Sequence, residues 1–379
     1  MTNRERQYAI FHYKQYDRLP VVYVNFWPET LLKWYSEGHI TKGDYEGWEF
    51  GNEVDQLVGA KLGFDYNFSS NIFAAPRVED TTSFLYPPFI REIVKEFPDG
   101  ARHIRQYDGA ITLWKPDATG IPAHVGHTLV DRASWERDYQ HRLQWTTERV
   151  DWETLAALKE TNDTRTEPYG LSCGSLFGQI RNWMGLEGIS YLLVDDENLY
   201  DEIIQTTAEV QLITCEKILE TGVKFDFATF WEDIACKNGP LINPAIFNEK
   251  VGPYYRRFTE LLTRFDIDIV YVDCDGVPDD LMSTWFDNGV NTMFPIEVGT
   301  WGGNIAAWRK RFGKELRGFG GMEKKLFAQN YTAIDNEIER LRPLVELGGY
   351  IPCPDHDIPP DAIWENVQYY CERMRKVFG

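Results

Sequence analysis

The chain has 379 residues, with 59 Asp and Glu against 39 Lys and Arg and a formal net charge of −20. That length can bury the core of one large α/β domain or of two smaller ones, while the negative charge disfavours nucleic acid and anionic membrane surfaces as partners. No apolar run approaches a bilayer span and the polar opening MTNRERQYAI lacks the apolar core of a signal peptide. Six cysteines without CxxC spacing read as reduced thiols, so a soluble cytoplasmic protein is expected.

A first helix is predicted from Arg4 to about Tyr13, then a buried strand over Val21–Phe26 and a helix through Leu32 and Trp34. A second strand is expected around Phe64–Phe68. Between about residues 80 and 135 the pattern changes: IREIVKEF, ARHIRQYDG and AITLWKP read as antiparallel strands joined by Asp-Gly turns at 99–100 and 108–109, an insertion or lid. Helical patterns return over 134–150 and 152–161. Strand Tyr169–Gly174 then precedes a long helix over 198–220, and strand Phe225–Phe230 precedes a helix over 244–265. Strands follow at 267–275, 291–297, 316–321 and 350–353. Eight strands alternating with helices, with no Gly-x-Gly-x-x-Gly after the first, predict a (β/α)8 TIM barrel in a single domain over 1–379.

In such a barrel the carboxyl ends of the strands converge on one mouth. Those ends carry Asn25 and Trp27, Asp65 and Asn67, Cys173 and Ser175, Trp231 with Glu232 and Asp233, Asp273 to Gly276, Glu297, Met322 with Lys324, and Cys353 with His356. Acidic groups dominate, and carboxylates crowded around one opening call for a cation or shared protons. Strand alternation puts Asp273 and Asp275 on one face with Cys274 opposite. Asp273, Asp275, Glu297 and His356 therefore form a candidate metal set of the kind zinc accepts. A structural reading stands beside it: Asp273 and Asp275 suit loop capping, Glu232 and Asp233 suit helix capping, Lys324 suits a solvated helix face, and Cys274, Cys353 and the tryptophans suit core packing.

Several segments are similar to the uroporphyrinogen decarboxylase superfamily: RERQYAIFHYKQYDRLPVV, FWEDIACKNGPLINPAIF, the DCDG strand end, PIE, GGMEKKLF and the closing GGYIPCPDHDIPPDAIWENV. The resemblance covers nearly the whole chain outside the insertion, and it implies a (β/α)8 barrel with its site at the strand ends. The superfamily includes corrinoid-dependent methyltransferases. Where true uroporphyrinogen decarboxylases carry Arg-Gln-Ala-Gly-Arg, this chain has Asn25-Phe26-Trp27-Pro28-Glu29, so the arginines that hold a polyanionic tetrapyrrole are missing. Where the zinc methyltransferases carry His-x-Cys and a later Cys, this chain presents Asp273, Asp275 and His356, a harder donor set.

The resemblance thus implies an O-demethylase-like enzyme, in which a methoxylated aromatic or similar methyl donor passes its methyl group to corrinoid cobalt. Its candidate catalytic residues are His356, Asp275 and Glu232, and Asn25, Trp27, Trp183 and Trp231 are candidate substrate contacts. Zinc is the metal it implies. No Asp-x-His-x-x-Gly corrinoid motif is present, so the cobalamin is expected on a separate corrinoid protein; a homodimer is compatible with this reading. A decarboxylase or lyase acting on a small acid or tetrapyrrole, and a non-catalytic binding barrel, are the competing readings.

Overall fold

The computed structural model describes residues 1–76, 84–116, 118 and 120–379. Its strands are β1 (Val22–Tyr23), β2 (Tyr66–Asn67), β3 (Ile72–Phe73), β4 (Glu92–Glu96), β5 (Arg102–Arg105), β6 (Ile111–Trp114), β7 (Ala123–Gly126), β8 (Gly170–Ser172), β9 (Phe227–Trp231), β10 (Ala235–Cys236), β11 (Gly239–Pro240), β12 (Val270–Asp273), β13 (Thr292–Ile296), β14 (Arg317–Gly320) and β15 (Tyr350–Ile351). Seven of them form a parallel sheet in the order β15-β14-β13-β12-β9-β8-β3, and β1 pairs in parallel with β2. Every predicted strand segment of the α/β alternation has a counterpart here. The strand expected near Phe64–Phe68 is β2 alone; β3, the sheet's edge strand, was not expected and follows a turn at Ser69–Asn71 whose N–H groups at Ser69 and Ser70 are held by Asn67 Oδ1. Past β15, Phe26 and Ile358 form a parallel bridge, with Ile358 N–H donating to Asn25 O at 2.9 Å and Trp27 N–H to Ile358 O at 3.2 Å.

Rings on alternate residues show which way the sheet faces. Phe68 packs against Phe227, Tyr271, Phe294 and Phe319, at centroid distances of 4.5–5.5 Å, so one buried aromatic layer draws on four strands of the sheet and the β2–β3 segment. Phe230, one pleat out of phase, meets Tyr255 and Phe258 of the helix Gly252–Thr263 instead. Along β9, therefore, Phe227, Thr229 and Trp231 share the inner face while Phe230 faces the helices.

Helices cover the outer face, the longest being Glu197–Leu219. Among the described residues none is long and apolar enough to cross a membrane. The helix expected over 244–265 is two, Pro244–Lys250 and Gly252–Thr263. Pro253 lacks an N–H and sits in the first turn of the second helix, where none is needed. The expected helix over 134–150 is instead a chain of short helical turns.

The insertion is an antiparallel sheet in the order β4-β5-β6-β7, with Gly100 and Gly109 at positive φ in the two Asp-Gly turns. Its fourth strand, AHVG, is too short and too weakly alternating to be read as a strand from sequence. Residues 80–83, 117 and 119 of the expected insertion lie outside the described ones.

Candidate active site

Beyond β9 and β12 the backbones continue side by side. Asp273 is in register with Trp231, and two residues further Asp275 N–H donates to Asp233 Oδ1 at 3.0 Å. Asp233, Asp273 and Asp275 each offer a carboxylate oxygen within 4.8 Å of the others. Asp233 has φ +45°, a left-handed conformation that Asp tolerates better than most residues and that clusters at functional sites. Gly276, at φ +98°, lets the β10–β11 hairpin close in: a Cβ there would lie 2.7 Å from the Cys236 nitrogen.

His356 approaches from the β15 side. Its Nε2 is 3.4 Å from Asp275 Oδ2, both side chains remaining about one-third exposed. Its Nδ1 accepts the Asp357 N–H at 2.7 Å, and Asp357 Oδ1 lies 3.7 Å from the same nitrogen, outside hydrogen-bond reach. Asn25 Nδ2 donates to Asp357 Oδ2 at 3.2 Å, while the buried Asn25 Oδ1 has no partner. Glu297 is buried nearby and takes N–H groups from Gly276, at 3.2 Å, and from the Trp301 indole.

This crowding holds protons. Burial, then the Asp275 charge, pushes Asp233 up to about 6. Burial and the charges of Asp233 and Asp275 raise Asp273 well above the carboxylate range, and burial raises Glu297 and Asp357 as well. For His356 burial favours the neutral ring, but the contact with Asp275 and the charges of Asp275 and Asp357 outweigh it and raise the pKa.

The structure thus brings together Asp273, Asp275, His356 and, at the edge, Glu297 and Asn25. It adds Asp233, two residues past the end of β9, whose left-handed backbone and bond to the Asp275 N–H turn it into the cluster. Trp231 and Trp27 are half-buried, Trp27 at the start of the helix Pro28–Ser36 that follows the Phe26 bridge.

Two candidates are placed otherwise. Glu232 points to the helix side, fully buried, where it accepts N–H groups from Leu176, Phe177 and Gly178 at 2.8–3.0 Å and hydroxyls from Ser175 and Tyr255. It caps the N-terminus of the helix Gly178–Met184. Gly178 must be glycine for this approach, because a Cβ would lie 1.8 Å from the Glu232 carbonyl oxygen. Trp183 is closed off from solvent and packs on Tyr139, 5.6 Å between ring centroids, so it is a core residue.

The thiols are turned aside too. Cys274 and Cys353 are buried with Sγ atoms near the carbonyls of Asp275 (3.6 Å) and Pro354 (3.5 Å). Arg181, which the sequence did not single out, reaches the backbone carbonyl of Asp233 and has its other guanidinium nitrogen on Asn182 Oδ1 at 2.9 Å. The insertion docks next to it: His127 Nδ1 is 3.0 Å from Asn182 O, and the His124 and His127 rings are 5.8 Å apart.

No protein-family model and no curated protein matches the chain. Asp233, Asp273 and Asp275 lie close enough together to share one divalent cation, His356 stands beside Asp275, and with the thiols buried the set is oxygen-rich.

Proposed function

We propose that the chain is a corrinoid-dependent methyltransferase of the uroporphyrinogen decarboxylase superfamily, folded as a (β/α)8 barrel, that takes the methyl group of a methoxylated aromatic or similar methyl ether. In this reading the Phe26–Ile358 bridge and the β1–β2 pair complete the ring begun by the seven-stranded sheet. The observation that carries the proposal is the convergence of Asp233, Asp273, Asp275 and His356 at one end of that sheet, above a floor of aromatic rings.

The donor set fits zinc or a similar cation, which Asp233, Asp273 and Asp275 would hold with His356 Nε2. When bound, it supplies Lewis acidity at the ether oxygen. The chain's own residues do the rest. Asp357 and Asn25 hold the His356 ring, Asp273 gives up its proton to take the cation, and Trp27 and Trp231 offer faces for an aromatic ligand. The methyl group passes to cobalt on a separate corrinoid protein that docks at the mouth.

A second reading, a decarboxylase or lyase acting on a small acid, draws on the same protonated carboxyls as proton donors. The deciding experiment incubates the protein with aryl methyl ethers and a reduced corrinoid and follows cobalt absorbance, with metal content measured for wild type and His356→Ala. Methyl transfer together with stoichiometric metal lost in His356→Ala supports the methyltransferase. Turnover of a small acid without corrinoid supports the lyase.

A further inference from the structure

Lys324 lies just after β14, at the same end of the sheet as the acidic cluster. Its backbone N–H donates to Asp355 Oδ1 at 3.1 Å, and the other oxygen of that buried carboxylate takes the N–H groups of Val298 and Gly299 at 3.0 and 3.2 Å. One carboxylate thus pins the turns after β13, β14 and β15 together and sets where the Lys324 side chain begins.

Lys324 is half-buried, and its charge acts on Glu297, His356 and Asp357. Among the described residues it nevertheless forms no ion pair and no side-chain hydrogen bond. The acids around it are already engaged. Glu297 serves Gly276 and Trp301, Asp357 serves Asn25, and Asp275 faces His356. The next lysine, Lys325, is exposed and reaches the Gly299 carbonyl at 3.4 Å, as a surface cation does. Lys324 is therefore an uncommitted cation with three N–H donors at the rim of an acidic site.

We propose that Lys324 receives the oxygen that becomes negative when the methyl group leaves, which makes the site selective for ligands presenting a phenolate-type oxyanion. The inference rests on the methyl ether reading. In the step, the O–CH3 bond breaks with its electron pair staying on oxygen. The methyl carbon bonds to the Co(I) centre of the corrinoid, which supplies the new electron pair, and a Lys324 N–H donates a hydrogen bond to the phenolate. Charge-assisted hydrogen bonds of this kind are roughly twice as strong as neutral ones.

The test needs no corrinoid. Binding of 4-nitrophenol, read at the phenolate absorbance, and of its neutral methyl ether 4-nitroanisole, read by tryptophan fluorescence, is measured for wild type, Lys324→Met, Lys324→Arg and Lys325→Met, with thermal melts to confirm folding. The expected result is that wild type takes up 4-nitrophenol as the phenolate. Lys324→Met should weaken the phenolate roughly ten- to hundredfold with little change for 4-nitroanisole, Lys324→Arg should restore most of the loss, and Lys325→Met should match wild type. Equal losses for both ligands, no loss for either, or no phenolate uptake by wild type overturns the proposal. Methyl transfer is scored separately: a protein that holds phenolate through Lys324 and moves no methyl group loses the methyltransferase reading and keeps the oxyanion site.

Discussion

Asp233 accepts the backbone N–H of Asp275 at 3.0 Å, so one carboxylate orients the loop that presents the next. The bond joins the ends of β9 and β12 where the sheet ladder stops, and it keeps two acidic groups close that would otherwise repel. Asp233 responds by holding its proton up to about pH 6, through burial first and the Asp275 charge second. A cation bound there must displace that proton, so affinity should rise with pH through this range.

Asp233→Asn keeps the size and an acceptor oxygen for the Asp275 N–H but removes the charge. Zinc affinity, measured by competition with a chromogenic chelator at pH 7.5, should fall by at least about tenfold, and the rise in affinity around pH 6 should flatten. Affinity and pH profile equal to wild type would remove Asp233 from the ligand set.

Glu232→Gln tests the capping role. The new amide group faces N–H and O–H donors already aimed at the carboxylate, leaving at least one buried donor unpaired. Stability in urea should drop by about 1–3 kcal/mol, while zinc affinity per folded molecule stays at the wild-type value. A variant of unchanged stability that loses metal or turnover would restore Glu232 as a site residue.

Gly178→Ala should be harmful although Ala is the better helix former. Its Cβ meets a backbone oxygen, that of Glu232, which cannot rotate away. A thermal melt should show a loss equivalent to roughly 1–3 kcal/mol, and a melt at or above the wild-type temperature would contradict the close approach.

Asp55 provides a pH dependence remote from the acidic cluster. It is fully buried between Trp48 Nε1 and Asn67 Nδ2, and burial pushes its pKa up to about 6. The folded state thus keeps a proton that the unfolded chain releases near the ordinary carboxylate value. Its stabilising contribution is complete below about pH 4 and is lost as pH rises to about 6, a change of about 3 kcal/mol. The stability difference between wild type and Asp55→Asn, from urea titrations at pH 4.5 and 7.5, should shift in that direction. A difference independent of pH would show that Asp55 is ionised throughout.

Local chemistry determined a good deal of this protein. The alternation of apolar runs with amphipathic stretches located eight of the parallel strands, the Asp-Gly pairs located the insertion turns, and the acidic strand ends with His356 located the end of the sheet where those groups gather. These are properties of neighbouring residues, written at the spacing of one element. Which of two adjacent acids, Glu232 or Asp233, reaches the site was decided by the tertiary structure, because that choice depends on which pleat meets Tyr255 and which meets Asp275. The same holds for Trp183, sealed against Tyr139, and for Arg181 and Lys324, whose surroundings come from segments far apart in the chain. Side-chain direction at a strand end is set by long-range packing and by backbone turns such as the left-handed Asp233, and no local pattern encodes either.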